Sequence, residues 1–183
     1  MSTVQELLTA EEYFQLSDKP ERSELVRGVI VPMNRPGARH GYLSNYIGHL
    51  LQKYLDEHDV GWVLGNDAGI IVEREPDTVR GPDVCFFSNE RMPELPILYP
   101  AAVPNVVFEV RSPTDRWNEI LEKTAEYLTA GVDLVCVLVP ETREAHLFRA
   151  DRPTEILTGD EILPLPAPLN KLELSVSACF GKA

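Results

Sequence analysis

The chain has 183 residues and a mass of 20.5 kDa. Because domains usually contain about 100–200 residues, we expect one domain over residues 1–183. Hydrophobic residues make up 44% of the chain and charged residues 25%, proportions that exclude a disordered protein. A net charge of −12 argues against electrostatic coating of DNA or of anionic membranes. Nucleic-acid binding would therefore need a locally basic surface.

Sequence features also predict the compartment. No apolar run approaches the ~18 residues of a membrane-spanning helix, and the N-terminus lacks the basic and apolar segments of a secretory signal. Cys85 and Cys136 lie inside apolar runs, and the sequence has no C-x-x-C pair. Both are interpreted as small buried side chains in a reducing compartment. We expect a soluble, cytoplasmic protein that does not interact with a membrane.

The first predicted elements are a short helix, one or two strands and a long helix. Thr9 and Glu12 form a capping-box pattern that opens a helix ending near Leu16. Residues 23–33, rich in valine and isoleucine around a glycine, indicate a strand pair or one bent strand. Apolar residues recur at helical spacing over residues 38–58, which predicts one long amphipathic helix.

The remaining elements alternate between strand and helix. A second helix is predicted over residues 115–130, with Gly131 as its C-terminal stop. A buried strand is expected at 134–139 and an outer strand at 144–149. We interpret the tail after Pro153 as loop and short terminal elements. Further strands are expected before the second helix, at residues 62–65, 69–73, 83–87 and 105–110. This order predicts a right-handed βαβ unit within a mixed sheet, in an α/β or α+β fold.

Three carboxylates are the first candidates for chemistry. The sequence has no G-x-S-x-G, P-loop or G-x-G-x-x-G motif, so serine hydrolysis, ATP use and hydride transfer lose their usual support. Glu109 lies inside an apolar strand, where an ionised carboxylate is costly unless it is paired or binds a metal. Asp83 follows Pro82 at the mouth of a strand, and Glu24 begins another strand. The alternative is that Glu109 pairs with a buried arginine while the other two carboxylates lie in turns.

Lys123 makes a site more plausible than isolated buried carboxylates. It lies three residues after Ile120 and four before Tyr127, at the margin of the helix's apolar stripe, so its aliphatic stem can run along the core. The alternative is an exposed lysine, or one paired with Glu119 on the same helix. Carboxylate oxygens suit Mg²⁺ or Mn²⁺, and a nearby lysine can orient a water or stabilise transition-state charge.

These residues resemble a known family. The ordered set looks like the bacterial Uma-type restriction endonuclease family of the PD-(D/E)XK nuclease superfamily. The resemblance implies a restriction-endonuclease-like core, a mixed β-sheet flanked by helices with acidic ligands at one edge. The matching segments are Glu24–Gly28, Arg39–Gly41, Pro82–Asp83, Glu109–Pro113, Glu122–Lys123, Tyr127, Gly131–Val132 and Val139–Thr142.

The resemblance also implies roles for particular residues. Asp83 and Glu109 would bind a divalent metal, Mg²⁺ or Mn²⁺, with the backbone carbonyl of Val110 as a further ligand. Lys123 would take the role of the catalytic lysine. Glu24 would lie beside that lysine or complete the metal shell.

One position departs from the superfamily pattern. Arg111 stands where the usual lysine is expected, and its bulky, permanently charged guanidinium is poorly suited to position a water. The catalytic role is therefore assigned to Lys123. Arg111 could contact a scissile phosphate, or form a salt bridge to a nearby acid; His40 could approach the substrate, or make a local hydrogen bond. Four arginines could form the basic surface or lie scattered: Arg22, Arg27, Arg35 and Arg39.

The resulting hypothesis is a metal-dependent DNA endonuclease, in which Lys123 aligns a Mg²⁺-activated water for attack on phosphorus. Similar proteins pair through their outer surfaces, so a homodimer is implied. One alternative is a non-catalytic binding or assembly module on a nuclease-like fold, which the acidic composition and Arg111 favour. Another is hydrolysis of a small phosphorylated molecule. Proximity of Asp83, Glu109 and Lys123 would favour the nuclease, and wide separation would favour the binding module.

Overall fold

The structure is a computed structural model that describes residues 7–183. Two sheets and several helices form the described part of the chain. The helices are α1 (Ala10–Gln15), α2 (Ala38–Leu55), α3 (Trp117–Ala130) and α4 (Val176–Phe180), with a 3₁₀ turn at Leu169–Lys171. The strands are β1 (Ser23–Val26), β2 (Val29–Pro32), β3 (Gly61–Gly65), β4 (Ile70–Glu73), β5 (Thr78–Arg80), β6 (Val84–Ser88), β7 (Val106–Val110), β8 (Leu134–Val139), β9 (Glu144–Arg149) and β10 (Arg152–Thr158).

The two sheets differ in size and in strand direction. The small sheet has the order β2-β1-β5-β4, and all its neighbouring strands are antiparallel. The large sheet has the order β10-β9-β8-β7-β6-β3, with one parallel pair, β7 and β8, among antiparallel neighbours. The expectation of a mixed sheet flanked by helices is confirmed.

The parallel pair requires a crossover, and α3 provides it. The helix ends where Gly131 adopts a left-handed conformation with φ of 105°, as its sequence position predicts. Alternate residues of β7 face opposite layers of the core. Phe108 packs in the cluster that includes α2 and α4, whereas Val107 packs in the cluster that includes Tyr127 of α3. The same alternation turns Glu109 toward α3.

Several predicted boundaries change slightly. Residues 23–33 form a strand pair whose two-residue turn has positive φ at both Arg27 and Gly28, as a type I′ hairpin requires. The capping box of α1 is present, with Thr9 accepting from the Glu12 amide. Helix α2 ends at Leu55 rather than at residue 58, and α3 begins at Trp117 rather than at residue 115.

Two strands were not predicted. The β5 strand has only three residues, too few to show a clear alternation. The tail was interpreted as loop and short terminal elements, yet β10 is a seven-residue edge strand of the large sheet. The sequence did not indicate β10 because most of its residues are exposed and polar and because it contains Pro153. An edge strand tolerates both features.

Among residues 7–183, no helix is both long enough and apolar enough to cross a membrane. The three cysteines are buried and unpaired with one another.

Candidate active site

Four chain segments bring the predicted residues together. Glu24 comes from β1, Asp83 directly precedes β6, Glu109 lies on β7 and Lys123 lies on α3. The Lys123 Nζ lies 3.0 Å from Glu109 Oε1 and 3.2 Å from Glu24 Oε1. It also donates to the Gly81 carbonyl at 3.3 Å. The three partners match the three donors of an ammonium group.

Helix geometry explains why Lys123 points inward. Tyr127 lies four residues later on the same face of α3 and is fully buried, so this face packs against the large sheet. The Lys123 side chain is 18% exposed and contacts Glu24 and Glu109 rather than Glu119. Burial lowers the pKa of Lys123, but the charges of Glu109 and Glu24 outweigh burial and raise it overall. The side chain is therefore a cation.

Glu109 pairs with this lysine, not with an arginine. Its Oε1 accepts from the Tyr127 hydroxyl at 2.8 Å and from Lys123. Burial raises the pKa of Glu109 to about 7, and the charge of Asp83 adds to this effect while Lys123 opposes it. The two carboxylates are thus close enough to repel each other, which is the electrostatic situation that a bound cation relieves.

Asp83 connects the start of β6 with the end of β7. Its Oδ2 accepts from the Val110 amide at 2.7 Å and lies 3.2 Å from His40 Nε2. Burial lowers the pKa of His40, but the hydrogen bond to Asp83 and the surrounding carboxylates raise it overall. His40 also lies 3.3 Å from the Ser44 hydroxyl, so its contacts include the local bond expected at a helix end.

Glu24 lies beside the lysine. Its Oε2 accepts from Arg80 Nη1 at 2.7 Å, and its Oε1 accepts from the Gly81 amide at 3.0 Å as well as from Lys123. Burial alone would raise the pKa of Glu24, but the charges of Lys123 and Arg80 have the larger effect, so its pKa is lowered overall. Both oxygens already have donors, and this places Glu24 next to the lysine rather than in an open ligand position.

Sequence reasoning missed Arg80, Glu126 and the hydroxyl contact of Tyr127. Arg80 donates to Glu24 and also to both oxygens of Glu126, at 2.6 and 2.9 Å. A polar residue such as Glu126 on an amphipathic helix gives no signal of a distant partner. Arg80, at the end of a three-residue strand, gave no local signal either. Tyr127 was noted only as part of the apolar stripe and of the family pattern, and its hydroxyl contact was not anticipated.

The other predicted contacts lie around this centre. Arg111 stacks over Trp117 at 5.4 Å and lies 3.5 Å from Glu141, the nearby acid of the alternative interpretation. Its Nε is buried and has no hydrogen-bond partner among the described residues. Of the four arginines proposed for a basic surface, Arg22 and Arg35 pair with acidic side chains, whereas Arg39 donates to a main-chain carbonyl.

The donor set fits a divalent metal. Asp83 Oδ1 and Glu109 Oε2 accept no hydrogen bond from any residue of the described chain. Neither oxygen is among the fully buried atoms that lack a partner, so both remain in contact with solvent. Within residues 7–183, no group of three or more His, Cys, Asp or Glu side chains is arranged to hold a metal ion. Mg²⁺ does not need one, because it is usually held by one or two carboxylates, with water and substrate phosphate completing its shell. Asp83, directly before β6, and Glu109, on β7, are the residues that would hold such a cation.

The large sheet, with its one parallel pair, thus positions Asp83 and Glu109 near the ends of neighbouring strands and Lys123 on the crossover helix. The family model of Uma2, described as "Putative restriction endonuclease", matches residues 10–177, and the chain belongs to this family. In structure the chain is similar to a protein from Anabaena variabilis ATCC 29413 described as "a putative nuclease belonging to DUF820", with a TM-score of 0.79. That match has 18% identity and covers 94% of this chain and 97% of the other. No curated protein matches the chain.

Proposed function

We propose that the chain is a metal-dependent endonuclease that hydrolyses phosphodiester bonds of DNA. The observation that carries the proposal is the ion pair between Lys123 and Glu109. Asp83 lies next to this pair, because it accepts a hydrogen bond from the amide of Val110, the residue after Glu109. Residues from β1, β7, α3 and the loop before β6 thus form one cluster with the acid, acid and lysine composition of the family pattern.

In this proposal Asp83 and Glu109 hold Mg²⁺ or Mn²⁺, and the Val110 carbonyl is a further ligand. When bound, such a cation supplies Lewis acidity toward a phosphoryl oxygen and favours ionisation of water near neutral pH. The two carboxylates would hold the metal beside the ends of the neighbouring strands β6 and β7. Geometry is preserved there because β6 and β7 are buried and paired.

Lys123 has the second role. Its ammonium can exchange its longest present contact, the Gly81 carbonyl at 3.3 Å, for the attacking water or a phosphoryl oxygen, and this contact strengthens as negative charge develops in the transition state. Glu24 contacts the amine at 3.2 Å, and its charge, together with that of Glu109, raises the pKa of Lys123. His40 and Arg111 are proposed contacts for the substrate, His40 beside Asp83 and Arg111 directly after β7.

The direct test is cleavage of supercoiled plasmid with Mg²⁺ or Mn²⁺. We expect Glu109→Gln and Lys123→Met each to reduce the rate roughly 100-fold or more, because each removes a group that acts in the transition state. Lys53→Met, at an exposed position of α2, is the matched control and should cleave like the natural protein.

Cleavage that survives both substitutions would indicate a contaminating nuclease. DNA binding without cleavage, unchanged by chelation of divalent metal, would instead support a binding module and overturn the proposal.

We also propose that the protein forms a homodimer, as the resemblance implies, and that it acts in the cytoplasm, as the sequence features predict. Light scattering coupled to size exclusion measures the mass directly. A mass of one chain across the accessible concentration range would contradict the dimer.

A further inference from the structure

We propose that Arg80 is a positioning residue that holds Lys123 in place through Glu24 and Glu126; this inference rests on the proposed function. Arg80 lies at the end of β5, and its side chain is only 12% exposed. Its Nε and Nη2 donate to the two oxygens of Glu126, and its Nη1 donates to Glu24. One guanidinium thus joins two carboxylates from different elements.

The two carboxylates control the lysine in different ways. Glu126 lies three residues after Lys123 on α3, so a fixed Glu126 fixes the helix turn from which the lysine projects. Glu24 contacts Lys123 directly with Oε1, while Arg80 holds its Oε2. Arg80 therefore sets both the origin of the lysine side chain and the position of one of its anchors.

The main chain beside Arg80 makes the same connections. The Gly81 amide donates to Glu24, and the Gly81 carbonyl accepts from Lys123. Movement of the Arg80–Gly81 segment would therefore shift both partners together. Arg80 itself makes no hydrogen bond to Asp83 or Glu109 within the described chain, so it acts through other residues.

Arg74 offers a matched control within the same chain. It also bridges two carboxylates, Glu11 and Asp77, but neither carboxylate contacts Lys123. Removing either arginine deletes a guanidinium between two acids. Only the loss of Arg80 frees one oxygen of a carboxylate that anchors the lysine.

The experiment measures the reactivity of Lys123 toward a small acylating reagent in the folded protein, read by mass spectrometry with Lys53 as the internal reference. An ammonium held close to carboxylates stays protonated and reacts slowly, and one whose anchoring carboxylate is displaced reacts faster. We expect Lys123 to react several-fold faster in Arg80→Ala and at the natural rate in Arg74→Ala. Added guanidinium, at a concentration that does not denature the protein, should restore slow labelling in Arg80→Ala.

Glu126→Gln provides a second variant, because it releases α3 while leaving Arg80 on Glu24. We expect an intermediate rate of Lys123 labelling. If Arg80→Ala does not fold, Glu126→Gln decides: faster labelling supports the positioning role, and the natural rate overturns it. In a folded Arg80→Ala protein, labelling of Lys123 at the natural rate also overturns it.

Plasmid cleavage by the same proteins separates the two proposals. A natural protein that cleaves should lose roughly 100-fold in kcat in Arg80→Ala with little change in KM, because a displacement of about 1 Å has that cost. If the natural protein does not cleave but labelling rises in Arg80→Ala, the proposed function fails and the positioning role stands. If it cleaves and neither labelling nor kcat responds, the positioning role fails alone.

Discussion

Two arginines beside the small sheet each bridge two carboxylates, and they show how burial changes the contribution of such ion pairs to stability. Arg80 links Glu24 and Glu126, and Arg74 links Glu11 and Asp77. The Arg80 side chain is 12% exposed, whereas that of Arg74 is 49% exposed. Exposed pairs are screened by water and contribute little, but breaking a buried pair leaves a charge without a partner.

The two bridges also have different central members. In the buried bridge the arginine holds both acids. In the exposed bridge the buried member is Asp77, which accepts from the amides of Ala10 and Glu75 as well as from Arg74. Asp77 therefore attaches the start of α1 to the turn before β5. At the candidate site Arg80 is the residue that joins the other members of the bridge. In the exposed bridge, away from the site, Asp77 has this role.

The largest expected effect comes from breaking the buried bridge. Arg80→Ala leaves Glu24 and Glu126 without their guanidinium, so we expect a loss of about 3–5 kcal/mol in the free energy of unfolding. Urea denaturation measures it, with Arg74→Ala as the control. Equal losses in the two variants would contradict the difference that burial predicts.

A smaller effect is expected at the buried member of the exposed bridge. Asp77→Asn replaces a carboxylate that accepts three hydrogen bonds, and the expected loss is about 1–3 kcal/mol at neutral pH. Asp18→Asn, at an exposed position, should change the free energy of unfolding little.

The stability difference between the natural protein and Asp77→Asn is predicted to depend on pH. Burial raises the pKa of Asp77, but the amides of Ala10 and Glu75 and the Arg74 guanidinium lower it below its ordinary value of 3.8. A lowered pKa stabilises the fold above the unfolded value, and this contribution is lost as the pH falls through the folded value. The difference between natural protein and Asp77→Asn should therefore shrink below about pH 4. A constant difference would refute this assignment.

The smallest effect is expected at Glu11, whose side chain is exposed and whose ion-pair partner among residues 7–183 is Arg74. Glu11→Ala should change the unfolding midpoint slightly at low salt and not at high salt, because ions screen exposed pairs. Glu126→Ala is its counterpart in the buried bridge and should lower the midpoint at both salt concentrations. A salt-independent loss in Glu11→Ala would show that exposure is not what separates the bridges.

Local sequence patterns were sufficient to predict most of the elements that carry the site. The capping box at Thr9, the apolar spacing of α2 and the glycine after α3 act over a few residues, so the sequence displays them directly. The strand–helix–strand order predicted the parallel pair of β7 and β8. The short β5 and the polar β10 were missed, because their pairing depends on strands elsewhere in the chain.

The candidate site divides in the same way. Burial expected from neighbouring residues singled out Glu109, and position along α3 together with the family pattern singled out Lys123. By itself the sequence therefore determined which residues are unusual in their local surroundings. Only the tertiary structure decided which charges meet, including the contacts of Arg80 with Glu24 and Glu126. The physical reason is that ion pairing depends on distances of a few ångströms between residues far apart in the chain, and no local pattern encodes those distances.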